Sequence, residues 1–431
     1  MRSEGDVLIS SSRRRFLQST LALGAASAAS AARPAFDSPL VSRELWQWAR
    51  SQQVLDPGAA YFDHGTRSPS LRAVLVAEYR TRETQARALS AGAAAPAASE
   101  VRQLIAQIAE FVGCNADELA LMRGAGEGLS LTAAALQLQP GDEIVTTEHE
   151  HPAALEPWLQ KTRRAGVVVR QVSLPSPISG TAEALGRLVS AVTPRTRVLA
   201  FPHVLYTDGT VMPVRELCQF ARERGIVSVV DGAQALGMLN FQLRELGCDV
   251  YATCLHKWMT GSPGTGLLYV RPDLLSRLEP LEPHSVLDAQ APATANGSAL
   301  PAATARLSAV LPHTWPAWHG SLAAVNFHAA VRRDRIEARI RELLVYARLR
   351  FAQLKDVEIL TPNAPGTWGG LFSFRSSRIG AHELVARLRD QRIATSAVRW
   401  GDGQSAVRAS FHIFNTHDEI ERLVSALQRA T

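Results

Sequence analysis

From residue 98 to residue 270, short apolar runs alternate with stretches of helical periodicity. This alternation limits the fold more than any other feature of the chain. Val101, Leu104, Ile105, Ile108 and Phe111 recur at three- and four-residue spacing, which predicts an amphipathic helix over 98–112. Leu119–Met122, Glu143–Thr147, Val167–Val172, Arg197–Phe201, Ile226–Val230, Val250–Cys254 and Gly266–Val270 read as strands. Helical stretches such as Gly128–Leu138 and Val214–Arg224 separate most of them. The pattern predicts an α/β fold with a seven-stranded, mostly parallel sheet covered on both faces.

The remainder is organised differently. Residues 289–306 are rich in Ala, Pro, Thr and Ser and read as a flexible loop or insertion. A long helical pattern runs from about 320 through 354, and strands are expected near 369–375, 393–399 and 406–414. Thr416-His417-Asp418-Glu419 is a capping box that opens a final helix. We expect residues 67–315 to form a large domain and 316–431 a smaller α+β C-terminal domain, with 32–66 an N-terminal segment before them. No internal repeats are visible.

Residues 11–18 read Ser-Ser-Arg-Arg-Arg-Phe-Leu-Gln, which resembles a twin-arginine signal. A mild apolar stretch follows to Ala32, too short and too weakly hydrophobic for a stable membrane span. Ala29-Ser30-Ala31 fits a cleavage site, with Ala26-Ser27-Ala28 a second option. Residues 1–31 are therefore expected to be a signal peptide handled by the twin-arginine export machinery, leaving the protein periplasmic or secreted. No later segment looks transmembrane.

The net charge of +6 is carried by scattered arginines with no binding stripe, which argues against nucleic-acid binding. The four cysteines form no C-x-x-C pair and no disulfide framework, and no metal site is expected. Of 46 basic residues only Lys161, Lys257 and Lys355 are lysines. Lys257 follows the strand Val250–Cys254, and Asp231 ends the strand before it. Ligands of open α/β sheets sit at the carboxyl ends of strands, so both groups should enter one crevice. A carboxylate and a primary amine there suit a pyridinium cofactor held as an imine, with the carboxylate keeping the ring nitrogen protonated. A guanidinium cannot do the lysine's task, so a lysine in so arginine-rich a chain is informative.

Asp231-Gly-Ala-Gln234 followed by His256-Lys257-Trp258 resembles the class V aminotransferases, a family of pyridoxal 5'-phosphate (PLP) enzymes, and in particular its isopenicillin N epimerase-like branch. The resemblance spans about residues 60–430. It implies fold type I, a homodimer and an amino-acid substrate. It makes Lys257 similar to the imine lysine, Asp231 to the partner of the pyridine nitrogen, and Gln234 to the side chain on the ring hydroxyl. His256 matches a phosphate contact. His151, in Glu150-His151-Pro152-Ala153, matches the ring-stacking histidine, with His149 a neighbouring alternative. Arg123-Gly124-Ala125-Gly126 resembles the phosphate loop, though the family often has threonines at Ala125 and Gly126. Pro263 likewise replaces a threonine, and Ser321 resembles a residue that reaches a partner subunit's phosphate. Tyr206 stands where the family carries an asparagine. Arg408 matches the arginine that grips the substrate carboxylate.

The desulfurases of the family need a nucleophilic cysteine before the C-terminal strand, and residues 376–407 contain none. Persulfide chemistry is therefore not expected. Transamination is the leading expectation, with epimerisation or β-elimination as alternatives that share the same core residues. An exported binding protein on a degenerate fold is the non-enzyme alternative, motivated by the altered phosphate loop.

Overall fold

Tight packing of helices on a buried sheet sets the architecture of the computed structural model, which describes residues 41–90, 92, 96–278, 300–308, 311–401 and 403–430. The expected signal at 1–31 and most of the 289–306 loop lie outside the described residues. The large sheet contains β1 (Leu119–Met122), β2 (Glu143–Thr147), β3 (Val168–Val172), β4 (Thr196–Pro202), β5 (Val227–Asp231), β6 (Val250–Cys254) and β7 (Gly266–Val270). Their spatial order is β1-β7-β6-β5-β4-β2-β3. β7 runs antiparallel to both neighbours, and the other pairings are parallel. The central strands are near-continuous apolar runs because helices cover both faces.

The helices around this sheet include α1 (Arg72–Ser90), α2 (Ala98–Val112), α3 (Ala125–Ala135), α4 (Pro152–Ala165) and α5 (Val214–Glu223). On α3, Gly128 allows close approach to the sheet, since a Cβ there would lie 3.1 Å from Leu268 and 3.3 Å from Ala252. Two further helices follow, α6 (Leu311–Val331) and α7 (Arg333–Phe351). The continuous helix expected over 320–354 is thus broken. Arg332 takes φ 80°, and its guanidinium donates to Asp334 at 2.9 and 3.2 Å, opening the second helix. Residues 302–307, read as loop, form a short helix.

A second sheet is antiparallel and contains β8 (Val357–Ile359), β9 (Leu371–Ser376), β10 (Ser396–Trp400) and β11 (Gln404–Ser410), in the order β10-β11-β9-β8. Its core joins Phe372, Phe374 and Phe351 with leucines of α7, α8 (Ala381–Asp390) and α9 (His417–Ala430). The two rings on β9 each meet Phe351 edge-on at 4.9 Å. The last strand stops at Ser410, earlier than expected. Residues 411–416 instead form an irregular link to α9, whose capping box joins Thr416 and Glu419 at 3.2 Å in both directions.

The N-terminal segment is tied into this second sheet. Ala60–Tyr61 pairs in parallel with Ile393–Ala394, and Ser410 N–H donates to Phe62 O at 2.7 Å. Among the described residues, no helix is long and apolar enough to cross a membrane.

Candidate active site

The carboxyl ends of β4, β5 and β6 open into a cavity of about 440 Å³. Pro202, Asp231 and Cys254 line its floor, where the register sets Pro202 beside Asp231 and Asp231 beside Ala252. Lys257 enters from the turn after β6, and Gly124, Ala125 and Gly126 from the start of α3. His151, Gln234, His256 and Arg408 complete the set of sequence-predicted residues present.

Asp231 is half-buried at the cavity floor, and desolvation there pushes its carboxyl above the ordinary range. The Ala233 N–H at 2.9 Å and the charge of Lys257 oppose that shift and favour the anion. Beside it lies Glu150, whose carboxyl is pushed up to about 8 by burial and by the Asp231 charge. Thr147 Oγ1 donates to Glu150 at 3.0 Å. Sequence reading passed over Glu150, although it directly precedes His151.

His151 caps α4, and its Nδ1 accepts from Ala153 N–H at 3.2 Å. Its proton therefore sits on Nε2. Burial, with the charges of Lys257 and Arg408, holds the ring down to about 4, so it is neutral at physiological pH. The alternative, His149, is buried away from the cavity between Thr207 Oγ1 at 2.7 Å and Leu174 O at 3.1 Å.

Arg408 is buried on β11. It donates to Tyr206 O at 2.9 Å and to Thr66 Oγ1 at 2.8 Å, and lies 3.7 Å from Asp63. Its Nε has no protein partner. Thr66 and Asp63 were not identified in the sequence, because they stand more than 340 residues from the arginine they orient. Tyr206 does not replace the family's asparagine in kind. Its hydroxyl donates to Arg399 O at 2.8 Å, and its ring meets His151 edge-on at 5.2 Å. It walls the cavity. Gln234 is partly committed elsewhere: Oε1 accepts from Trp258 Nε1 at 2.9 Å and Nε2 donates to Gly65 O at 2.8 Å.

Ser321 is the exception among the assigned residues. It does not line this cavity. Its buried Oγ accepts from Ser262 N–H at 3.0 Å and lies 2.7 Å from Thr265 Oγ1, so within this chain it orders the turn after Lys257.

These residues fit PLP. The first N–H groups of α3 face the cavity without intrahelical acceptors, where backbone and helix dipole suit a phosphate. The buried Nδ1 of His256 has no partner in the protein, and burial holds that ring down to about 4. The Asp231 carboxylate and Lys257 supply the other two contacts. Among the described residues, no group of His, Cys, Asp or Glu is arranged to hold a metal ion. The four cysteines are free and buried.

Fold and site together define a fold type I, PLP-dependent enzyme. The chain belongs to the aminotransferase class-V family, whose model matches residues 60–423. It is 33% identical over 406 residues to the isopenicillin N epimerase of Streptomyces clavuligerus, covering 90% of this chain and 98% of that relative. It is 29% identical over 392 residues to a cysteine desulfurase of Salmonella gallinarum, covering 88% and 90%. A cysteine desulfurase structure from Thermococcus onnurineus NA1 superposes with a TM-score of 0.76 at 22% identity, covering 89% of this chain and 97% of that one.

Proposed function

We propose that this enzyme acts at the α-carbon of an amino acid, and that epimerisation is the outcome. One observation carries the α-carbon chemistry: a buried arginine, a lysine and a half-buried carboxylate converge on one cavity at the carboxyl end of the sheet. Arg408 binds the substrate carboxylate, its orientation fixed by Thr66 and Tyr206 O. Asp231 would hold the proton of the pyridine nitrogen of bound PLP, and the first turn of α3 with His256 would hold its phosphate. When bound, PLP acidifies the α-C–H of an amine joined to it. Lys257 takes that proton. Delivery of a different proton to the opposite face of that carbon by a second group, with the first proton left on Lys257, inverts the carbon, and His151 is a second proton carrier lining the cavity. Relatives named isopenicillin N epimerase support this outcome.

Transamination is the second reading, and the state of His151 favours it. A ring held near 4, with Nδ1 engaged by a backbone N–H, is a weak proton donor. That leaves Lys257 to move the proton alone. Desulfuration has less support, because burial pushes the one cavity thiol, Cys254, above its usual range.

The test begins with protein loaded with PLP. A visible absorbance that borohydride fixes onto Lys257 is expected, and a colourless protein that cannot be loaded would sink the reading. Single amino acids are then incubated in deuterated water. Racemisation with deuterium uptake marks the epimerase, and a new amino acid formed from an added keto acid marks the transaminase. Lys257→Ala should abolish either activity.

We further propose that residues 1–31 direct twin-arginine export and that the enzyme works in the periplasm or outside the cell as a homodimer. The order Arg13-Arg14, Phe16-Leu17, apolar stretch and small-residue site supports the export route. Replacing Arg13 and Arg14 with Lys should retain the protein in the cytoplasm. Unchanged export would exclude the twin-arginine signal.

A further inference from the structure

The turn that carries Lys257 has its backbone carbonyls engaged one after another. Leu255 O accepts from Gly261 N–H at 2.7 Å, His256 O from Ser68 N–H at 2.9 Å, and Lys257 O from Thr260 N–H at 2.9 Å. Trp258 O is held differently. Two buried imidazoles from distant elements meet it: His412 Nε2 at 2.8 Å and His328 Nε2 at 3.1 Å. His412 lies in the link after β11, and His328 lies on α6. The tautomer of His412 is fixed, since Ile413 N–H donates to its Nδ1 at 2.8 Å and the proton must sit on Nε2. The same ring stacks on the Trp258 indole at 5.6 Å. From the other side, Gly237 at φ 90° presses on this peptide, and a Cβ there would come within 2.7 Å of Trp258 C and Met259 N.

We propose that His412, with His328 packed against the same carbonyl, is a positioning residue for Lys257: by holding the carbonyl of the next residue it fixes where the lysine amine enters the cavity. Neither lines the cavity, so neither touches substrate. The clamp ties the amine to α6 and to the segment just beyond Arg408. The substrate's carboxylate anchor and the amine that takes its proton are thereby held by one connected unit. A misplacement of about 1 Å far from the chemistry costs on the order of a hundredfold in rate, so such a clamp has measurable consequences. Burial keeps both rings neutral, so each has a single N–H: that of His412 goes to Trp258 O, while His328, whose Nδ1 also lies 2.9 Å from Ala324 O, can donate to only one of its two carbonyls at a time.

The inference rests on Lys257 being the cofactor-linked lysine, which the wild-type absorbance and borohydride fixation test separately. The test uses full-length holoenzyme with His412→Phe, which keeps the ring stack and removes the donor, His412→Gln, which keeps a donor, and His328→Leu. The pH midpoint of the visible band is measured alongside kcat and KM. His412→Phe is expected to move the midpoint by about half a unit or more and to lower kcat about tenfold, with KM changed less than about threefold. His412→Gln should recover most of both. If His412→Phe does not fold or load, His328→Leu carries the same comparison from a separate element. Wild-type colour with an unmoved midpoint and kcat within about twofold in the variants overturns the clamp, even if thermal stability falls.

Discussion

Lys161 needs an ammonium as much as Lys257 does, for a different reason. Its Nζ donates to Ala133 O at 2.6 Å, to Ala134 O at 3.3 Å, and to Leu136 O. These are orphan carbonyls at the end of α3. A compact ammonium can meet three acceptors from one point, and a planar guanidinium cannot. A positive charge there also complements the helix dipole, whose other end faces the phosphate site. Lys161→Met should lower stability by about 1–3 kcal/mol in denaturant titration, with Lys161→Arg recovering only part. Lys257, Asp231 and Arg408 were legible in the sequence because each sits beside a strand end or in a compact motif. His328, His412, Thr66 and Asp63 were not. Each acts on a residue far along the chain, and a histidine at helical spacing reads as ordinary core.

At the scale of elements, the strands of the large sheet fall within a residue or so of where their apolar runs place them. Helix starts are less legible. α3 spans Ala125–Ala135, three residues ahead of the stretch read as helix. Its first turn, Ala-Gly-Glu, carries no apolar periodicity, so only the phosphate-loop resemblance marked it. The first residue of β2 reveals another hidden device. Glu143 is fully buried between two arginines, accepting from Arg170 at 3.0 Å and from Arg195 at 2.7 Å, with Thr193 Oγ1 at 2.5 Å. This ties the start of β2 to the middle of β3 and to the turn before β4. Arg170 chiefly, with Thr193 and Arg195, lowers the carboxyl from 4.5 to about 2 against the cost of burial. The folded state binds a proton less readily than the unfolded chain. The contribution is therefore complete above pH 4.5 and lost as pH falls through about 2. Glu143→Gln should lower the melting temperature at neutral pH and flatten its decline over that acid window. A decline as steep as wild type would show that other groups set it.

For the whole molecule, part of the arginine excess is structural. Arg333 donates to Phe111 O at 2.8 Å and to Phe241 O, Arg341 to Trp368 O at 2.8 Å, and Arg306 to Leu278 O at 2.7 Å. Each guanidinium joins segments distant in the chain by reaching bare carbonyls, a task no sequence pattern announces. Composition alone could exclude a nucleic-acid stripe but could not say where the charges go. The surface of α1 poses the opposite problem. Leu75 and Tyr79 are 45% and 68% exposed, and Leu89 is 63% exposed. At 3.6 residues per turn these three lie within about 80° of arc, with the exposed Arg82 between Tyr79 and Leu89, so Leu75 and Tyr79 form an apolar patch on the N-terminal half of the helix. The other side of α1 packs on α6. An apolar patch left in water favours association, and the proposed homodimer gives it a partner of matching chemistry, a second copy of the same face. Tyr79→Glu combined with Leu75→Glu places two carboxylates where such an interface would bury them. Light scattering should find the wild type dimeric at micromolar concentration and the double variant monomeric, with its circular dichroism unchanged. A wild type that stays monomeric at every concentration tested would exclude the dimer. A double variant that remains dimeric would move the interface off α1.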